Sequence, residues 1–177
     1  MAASDNDLKN VHIRTGKMSD AKKILNIQRD VVIENEYLIS VSEEFSKNIE
    51  QQKEWIQKIL KNERETLLVA EIDEEIVGWL AFQSPNLQRL SHTGSFGMML
   101  HKGYRGLGIG TSLITELLAW AEQTPLIEKV SLGVFSTNIQ AINLYKRMGF
   151  IEEGRKKKEI KLDENKYVDD VLMYKIV

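Results

Sequence analysis

The feature that most constrains this sequence is a run of alternating glycines between a predicted strand and a predicted helix. The strand is expected at Ser95 to Leu100, and apolar residues recur at helical spacing from Leu113 to Ala121. Glycines strip the loop of side chains, so its N–H groups can converge on an anion, which the positive end of the helix also attracts. We therefore predict that the loop from Arg105 to Gly110 binds phosphate, the alternative being a plain tight turn.

Two familiar phosphate loops do not match. Gly103 and Gly108 have the spacing of a P-loop, but Ile109 stands where that loop requires lysine. A dinucleotide fingerprint requires Gly-x-Gly-x-x-Gly, and Thr111 or Leu113 occupies the third glycine position in the two available frames. Neither a nucleoside triphosphatase nor a nicotinamide enzyme is favoured.

Length and composition limit the remaining classes. The 177 residues suit one domain spanning 1–177, with residues 1–10 as a loose N-terminal extension. A net charge of -2 disfavours nucleic acid as a partner, and no apolar stretch is long enough to span a membrane. The chain has no cysteine, which excludes disulfides, thiolate metal sites and a thioester formed on the protein. We expect a cytoplasmic protein without a metal.

Hydrophobic periodicity predicts the element order β-α-α-β-β-β-α-β-α-β-β. Antiparallel pieces lie at both ends and a βαβ-like step lies in the middle, which predicts an α/β fold with a mixed sheet and helices on its faces. The remaining strands are expected at Val11 to Arg14, Thr66 to Ile72, Glu75 to Phe82, Lys129 to Val134, and as two long strands within Phe150 to Ile176. The other helices are expected to begin at Ser19-Asp20, to span Ser46 to Lys61 with Leu60 facing inward, and to span Asn138 to Met148.

Two motifs carry a resemblance to a known family. Arg105 to Gly110 fits Arg/Gln-x-x-Gly-x-Gly/Ala, and Asn138 to Phe150 fits Asn-x-x-Ala-x-x-Leu-Tyr-x-x-x-Gly-Phe at all key positions. With the element order, they make the chain resemble the GNAT N-acetyltransferase superfamily. The tail, with Glu153-Gly154 and Tyr167 to Asp170, looks like the branch that acetylates free amino acids, polyamines or ribosomal-protein N-termini.

This resemblance implies acetyl-CoA as the co-substrate. In the family, the glycine loop binds the pyrophosphate, and the preceding strand splays from its neighbour so that its backbone binds the pantetheine arm and the thioester carbonyl. The strand residues Met98, Met99 and Leu100 can equally be ordinary core residues. The implied cofactor-binding residues are Met98, Met99, Leu100, Arg105, Gly106, Leu107, Gly108, Ile109, Gly110, Thr111, Asn138 and Asn143.

Tyr145 is the candidate general acid. A phenol has an ordinary pKa near 10 and a thiol near 8.5, so the phenol stays protonated at neutral pH and can donate to a departing thiolate. Helical register places Tyr145 two turns beyond Asn138. The alternative is a core tyrosine with its hydroxyl at the rim. His92 and His101 bracket the strand before the loop and are weaker candidates, since a surface or capping histidine is the commoner case.

The general base and the acceptor site are less constrained. Some relatives carry a glutamate on the strand before the loop, but Ser95 to Met99 contains no carboxylate. Proton removal would then use ordered water or an acid from elsewhere: Glu34, Glu36 or Asp170, each of which can also be a solvated surface acid. The basic run Arg155 to Lys158 either meets an anionic ligand or is a solvated strand end.

The resulting hypothesis is an enzyme that moves acetyl from acetyl-CoA to a primary amine by direct attack in a ternary complex. A small molecule of amino-acid or polyamine type is the expected acceptor. The alternatives are a protein N-terminus or lysine as acceptor, and a sensor domain that binds acyl-CoA without turning it over. Relatives are often dimers, so a homodimer is a further expectation.

Overall fold

The computed structural model describes residues 11–177, so the predicted extension at 1–10 lies outside the described residues. Seven strands and four α-helices follow in the predicted order. The strands are β1 (His12–Thr15), β2 (Thr66–Ile72), β3 (Glu75–Gln83), β4 (Thr93–Leu100), β5 (Lys129–Phe135), β6 (Ile151–Asp163) and β7 (Lys166–Ile176). The helices are α1 (Ala21–Glu34), α2 (Ile49–Leu60), α3 (Ile109–Gln123) and α4 (Ile139–Arg147).

All seven strands form one mixed sheet in the order β1-β2-β3-β4-β5-β7-β6, which confirms the predicted fold class. Neighbouring strands are antiparallel except β4 and β5, which are parallel. Parallel neighbours need a crossover, and α3 supplies it with the glycine loop at its beginning. The loop is therefore held at the centre of the sheet.

The central pair β4 and β5 is splayed. The two strands pair only where Thr93 to Ser95 faces Lys129 to Ser131. Beyond Ser95, β4 stays paired with β3 as far as Leu100. The second half of β4 therefore has one edge of backbone N–H and C=O groups that is turned away from β3 and has no strand partner within residues 11–177.

Two apolar layers hold the helices on opposite faces of the sheet. The larger layer packs α3 and α4 on one face and includes Leu113, Leu117, Phe82 and Val130. The smaller layer packs α1 and α2 on the other face, against β2 and β3. The part of the second face formed by β4, β5 and β7 has exposed residues at Gly97 and Gly133.

Two predictions for α2, its first residue and the burial of Leu60, were wrong. The helix begins at Ile49 and not at Ser46, because Asn48 caps it: Asn48 Oδ1 accepts from the N–H of Gln51 at 2.9 Å, and Gln51 Oε1 accepts from the N–H of Asn48 at 3.0 Å. Leu60, expected to face inward, is 41% exposed in the last turn.

The first helix is positioned by an ion pair. Asp20 precedes α1 but makes no side-chain cap with it. Its carboxylate accepts from the N–H of Lys17 at 2.8 Å and from Arg14 at 2.8 and 3.1 Å. Arg14 also donates to Glu71 on β2 at 2.7 Å. The beginning of α1 is thereby tied to the first two strands.

Candidate active site

A cleft of about 600 Å³ opens where β4 and β5 separate. Its walls come from the end of α1 and the segment after it, the second half of β4, the glycine loop, β5 and α4. A smaller depression of about 390 Å³ at the end of α2 is lined by Lys58, Lys61 and their neighbours, and none of the predicted site residues lines it. The splayed strands therefore mark the candidate active site.

The glycine loop has the conformation that its sequence requires. Gly106 and Gly108 have φ values of +76° and +81°, a left-handed region that favours glycine. A Cβ at either position would meet no heavy atom within 4 Å, so the loop is open on its outer side. Gly108 is the N-cap of α3, and an α-helix leaves its first N–H groups without intrahelical partners. The loop thus fits an anionic group.

Gly110 has a different role from the two glycines before it. A Cβ there would lie 3.3 Å from the side chains of both Leu144 and Met98. The missing side chain lets the beginning of α3 approach β4 and α4 closely. The loop, the strand and the helix that carries Tyr145 consequently meet at one point.

The side chain of Arg105 turns away from the loop. It forms a bidentate pair with Glu34 at the end of α1, with N–O distances of 2.6 and 2.9 Å. Its Nε and one terminal nitrogen also donate to the carbonyl oxygen of Leu100, at 3.2 and 3.0 Å. Both predicted residues line the cleft, but the carboxylate of Glu34 is already paired.

The second half of β4 presents different side chains to the two layers. Phe96, Met98 and Leu100 pack against the larger layer and Met99 against the smaller. Gly97, on the side of Met99, is exposed, and a Cβ there would meet nothing within 4 Å. Met98, Met99 and Leu100 are therefore packing residues whose backbone also lines the cleft.

Tyr145 reaches the cleft from α4 and is only 9% exposed. Its ring packs edge-on against Phe96 and Phe150, with centroid distances of 5.9 and 6.1 Å. Burial raises the pKa of the Tyr145 hydroxyl to about 12, because the phenolate would be poorly solvated. The hydroxyl therefore stays protonated well above neutral pH. Asn138, two turns earlier, lines the cleft and caps α4 by accepting from the N–H of Ala141 at 3.2 Å.

Of the predicted site residues, thirteen are brought together and three are not. Leu107 packs its side chain against the larger apolar layer. Asn143 is exposed on α4, outside the row of Gln140, Ala141 and Leu144 that lines the cleft. The residues that line the cleft are Glu34, Glu36, Met98, Met99, Leu100, Arg105, Gly106, Gly108, Ile109, Gly110, Thr111, Asn138 and Tyr145.

Asp170 is the third residue outside the lining. Asp170 is on β7 and pairs with Phe135 on β5. Gly133 lines the cleft, and a Cβ on Gly133 would be 2.8 Å from Oδ1 of Asp170. Lys156 Nζ is 3.7 Å from its Oδ2. The carboxylate of Asp170 therefore lies beside Gly133, where β7 borders the cleft.

Other candidates of the sequence analysis lie away from the cleft. His92 and His101 are exposed, and His101 Nδ1 accepts from the N–H of Gly103 at 3.3 Å. Three members of the basic run have acidic neighbours: Arg155 pairs with Glu152, Lys156 lies near Asp170, and Lys157 pairs with Asp169.

Sequence reasoning missed several lining residues. Tyr37 and Leu38 directly follow Glu36, and Arg147 lies two turns after Gln140 on α4. Spacing along α4 is a signal that would have found Arg147. Gly133 carries no comparable signal, since only the separation of β4 from β5 exposes it.

The sequence and the fold match known proteins. The sequence model of the Acetyltransferase (GNAT) family matches residues 32–150. An N-alpha-acetyltransferase from Sulfurisphaera tokodaii is 30% identical over 91% of this chain and 88% of its own. The L-amino acid N-acetyltransferase AaaT from Escherichia coli is 32% identical over 62% of this chain and 67% of its own.

Solved structures agree on the fold. A GNAT-family acetyltransferase from Streptococcus pneumoniae superposes with a TM-score of 0.90 at 23% identity, covering 95% of this chain and 100% of its own. The yncA protein from Salmonella typhimurium, solved with its cofactor acetyl-CoA, superposes with a TM-score of 0.84 at 17% identity, covering 94% and 93%. The splayed strands, the open glycine loop and these matches together show that the chain belongs to the GNAT family and is an acetyl-CoA-dependent N-acetyltransferase.

Proposed function

We propose that this enzyme transfers acetyl directly from acetyl-CoA to the primary amine of a small molecule of amino-acid or polyamine type, with both substrates bound in the cleft between β4 and β5. One observation carries the proposal: the glycine loop and Tyr145 line the same cleft as the exposed Gly97. Donor and acceptor can therefore meet without an acyl-enzyme. The absence of cysteine supports direct attack.

The proposed donor site uses mainly backbone. N–H groups of Gly106 to Thr111 and the N-terminus of α3 bind the pyrophosphate. The pantetheine arm adds to the free edge of β4 beyond Ser95, where its amides replace the missing strand partner. An N–H group on that edge stabilises the negative charge that develops on the thioester oxygen. Arg147, which lines the cleft, supplies positive charge for the phosphates.

Acetyl-CoA supplies an activated acyl group. The amine nitrogen bonds to the carbonyl carbon, and the carbon–sulfur bond breaks. The bound ammonium group first loses one proton to Glu36 or to water, and the nitrogen loses a second proton to water after its bond to the carbonyl carbon has formed. The Tyr145 hydroxyl donates its proton to the sulfur and is reprotonated by solvent. A pKa of about 12 keeps Tyr145 protonated and ready to donate over the working pH range.

Glu36 is the proposed acceptor carboxylate. It lines the cleft from the segment after α1 and is exposed, whereas the carboxylate of Glu34 is paired with Arg105. A free carboxylate attracts an ammonium group, and the neighbouring Tyr37 and Leu38 offer apolar contact. Asp170, beside Gly133, is a weaker candidate, because Lys156 Nζ lies 3.7 Å from its carboxylate.

A protein N-terminus is the second candidate acceptor. Gly97 and Gly133 are exposed on the sheet face that also carries α1 and α2, and a Cβ on Gly97 would meet nothing within 4 Å, which leaves a path for a longer chain. The Sulfurisphaera relative, an N-alpha-acetyltransferase, aligns over 91% of this chain. The cytoplasmic location and the homodimer stay predictions, the latter testable by light scattering.

The deciding experiment measures free thiol release from acetyl-CoA with a panel of free amino acids, polyamines, N-terminal peptides and peptides whose only amine is a lysine. Turnover with a free amino acid or polyamine at lower KM than with any peptide supports the proposal. Preference for N-terminal peptides selects the second candidate. Turnover of lysine peptides alone overturns both.

A further inference from the structure

Arg105 joins three elements of the site at one guanidinium group. It begins the glycine loop, binds the carbonyl oxygen of Leu100 at the end of β4 through two nitrogens, and holds both carboxylate oxygens of Glu34 at the end of α1. The side chain of Glu34 is 15% exposed and that of Arg105 is 34% exposed. We call this Glu34–Arg105 pair the clasp.

The clasp determines where charge is available. A guanidinium that forms a bidentate pair with a carboxylate is part of an ion pair with no net charge. Such a pair attracts a neighbouring phosphate only weakly. The loop therefore meets an anion with backbone N–H groups, next to an arginine that is already neutralised. Removing Glu34 alone would leave a positive charge beside the loop, and removing Arg105 alone would leave a negative one.

The clasp also determines where the acceptor wall lies. Glu34 is the last residue of α1, and Asn35 follows in the left-handed region with a φ of 51°. This reversal leads directly into Glu36, Tyr37 and Leu38, which line the cleft. Fixing Glu34 therefore fixes the origin of that wall relative to the donor loop.

We propose that Glu34 and Arg105 are positioning residues that couple the donor loop to the acceptor wall. The amine site is aligned with the thioester only while the ion pair of the clasp is formed. This inference rests on the proposed placement of the amine beside Glu36. Neither residue touches a reacting atom; both act through the segment from Glu36 to Leu38 and through β4.

The test compares Glu34→Gln and Arg105→Gln. Both open the clasp, so both are expected to raise the KM for the amine about tenfold, while kcat falls less. Their effects on acetyl-CoA are expected to have opposite signs. Glu34→Gln tightens binding about twofold to fivefold at low salt and Arg105→Gln weakens it by a similar factor, with both changes shrinking as salt rises.

Glu71→Gln is the matched control, because it opens a comparable ion pair with Arg14 on β1, outside the cleft lining. The Glu71→Gln substitution is expected to lower the melting temperature while leaving the KM for the amine and the affinity for acetyl-CoA unchanged. An unchanged amine KM in both clasp variants would overturn the proposal, as would a weakening of acetyl-CoA binding in both, which is the result of a merely structural pair. If the unmodified protein turned over no amine, the proposed function would fail instead, and the opposite-signed effects on acetyl-CoA would still report the charge balance of the clasp.

Discussion

The two sides of the cleft are built by different means. The proposed donor side consists of backbone: the open glycines at the beginning of α3 and the edge of β4 that has no strand partner among residues 11–177. The proposed acceptor side consists of side chains on the segment after α1, such as Glu36 and Tyr37. A cofactor of fixed chemistry can be bound by groups that every residue has, whereas an acceptor is selected by particular side chains. Sequence motifs therefore predict the donor side but not the acceptor side.

The two sides are also held differently. Helix α3, on the donor side, buries a continuous apolar stripe that includes Leu113 and Leu117. Helix α1, next to the proposed acceptor site, also packs apolar residues on the sheet, but it is in addition held at its beginning by Asp20 and at its end by Glu34, each paired with an arginine. Ion pairs weaken with salt and acid while apolar packing does not, so the acceptor side should respond more to both.

The largest expected effect tests the chemistry shared by both sides. Tyr145→Phe is expected to lower kcat roughly 10²-fold, because it removes a positioned proton donor. The dissociation constant for acetyl-CoA, measured by calorimetry, should change less than about twofold, because the ring packing is kept. Since burial raises the pKa of Tyr145 to about 12, the wild-type rate should show no loss attributable to this group up to about pH 10. An unaltered kcat would remove the assigned role.

A loop substitution tests the donor side alone. Gly108→Ala places a side chain at a φ of +81° and a methyl group on the open side of the loop. The strain costs about 1 kcal/mol, and the affinity for acetyl-CoA is expected to fall about tenfold with little change in the amine KM. Gly154→Ala on β6 is the control, since its Cβ also meets nothing within 4 Å. Equal effects of the two variants would contradict the backbone-based donor site.

A charge removal tests the acceptor side alone. Glu36→Gln is expected to raise the KM of a cationic amine about fivefold at low salt, less at high salt, and to leave acetyl-CoA binding unchanged. Glu43→Gln removes an exposed charge from the same connecting segment, outside the cleft lining, and serves as the control. If Glu36 is also the base, kcat falls as well; if neither KM nor kcat responds, Glu36 is a surface acid.

The smallest effect tests how α1 is held. Burial alone would raise the pKa of Asp20, but the hydrogen bonds from Arg14 and from the N–H of Lys17 outweigh it, so the pKa lies below its ordinary value. A carboxyl with a lowered folded-state pKa stabilises the fold above its unfolded pKa and loses that contribution as pH falls through the folded value. Asp20→Asn is expected to lower stability by about 1 kcal/mol at pH 7, or about 2–4 °C in melting temperature.

The difference in melting temperature between Asp20→Asn and the unmodified protein should close as the pH falls through the lowered folded-state pKa of Asp20, because the carboxyl is then protonated in both the folded and the unfolded state. A gap that stayed constant with pH would mean that Asp20 acts through shape and not through charge. The donor-side constants should be unaffected at any pH at which the fold is intact.

The predictions from sequence were wrong where two local signals compete for the same helix boundary, or where tertiary contacts determine whether a side chain is buried. Ser46 and Asn48 both have side chains that can cap a helix. The reciprocal hydrogen bonds between Asn48 and Gln51 make Asn48 the N-cap, so α2 begins at Ile49. Leu60 fits the apolar spacing of α2, but the last turn passes the edge of the layer and leaves it exposed. Arg105 and Glu34 were both selected as site residues, yet 71 positions separate them in the chain, and spacing carries no information about such a pair.

What the sequence by itself determined is the donor half of this enzyme. Element order follows from periodicity, and the glycine loop and the Asn138 to Phe150 signature follow from backbone and helix-register requirements that are local in the chain. Tertiary structure alone decided where the strands splay, which side chains line the cleft beside the proposed acceptor site, and that Glu34 pairs with Arg105. Those features join segments far apart in the chain, and their energies depend on distance in space, which no local pattern encodes.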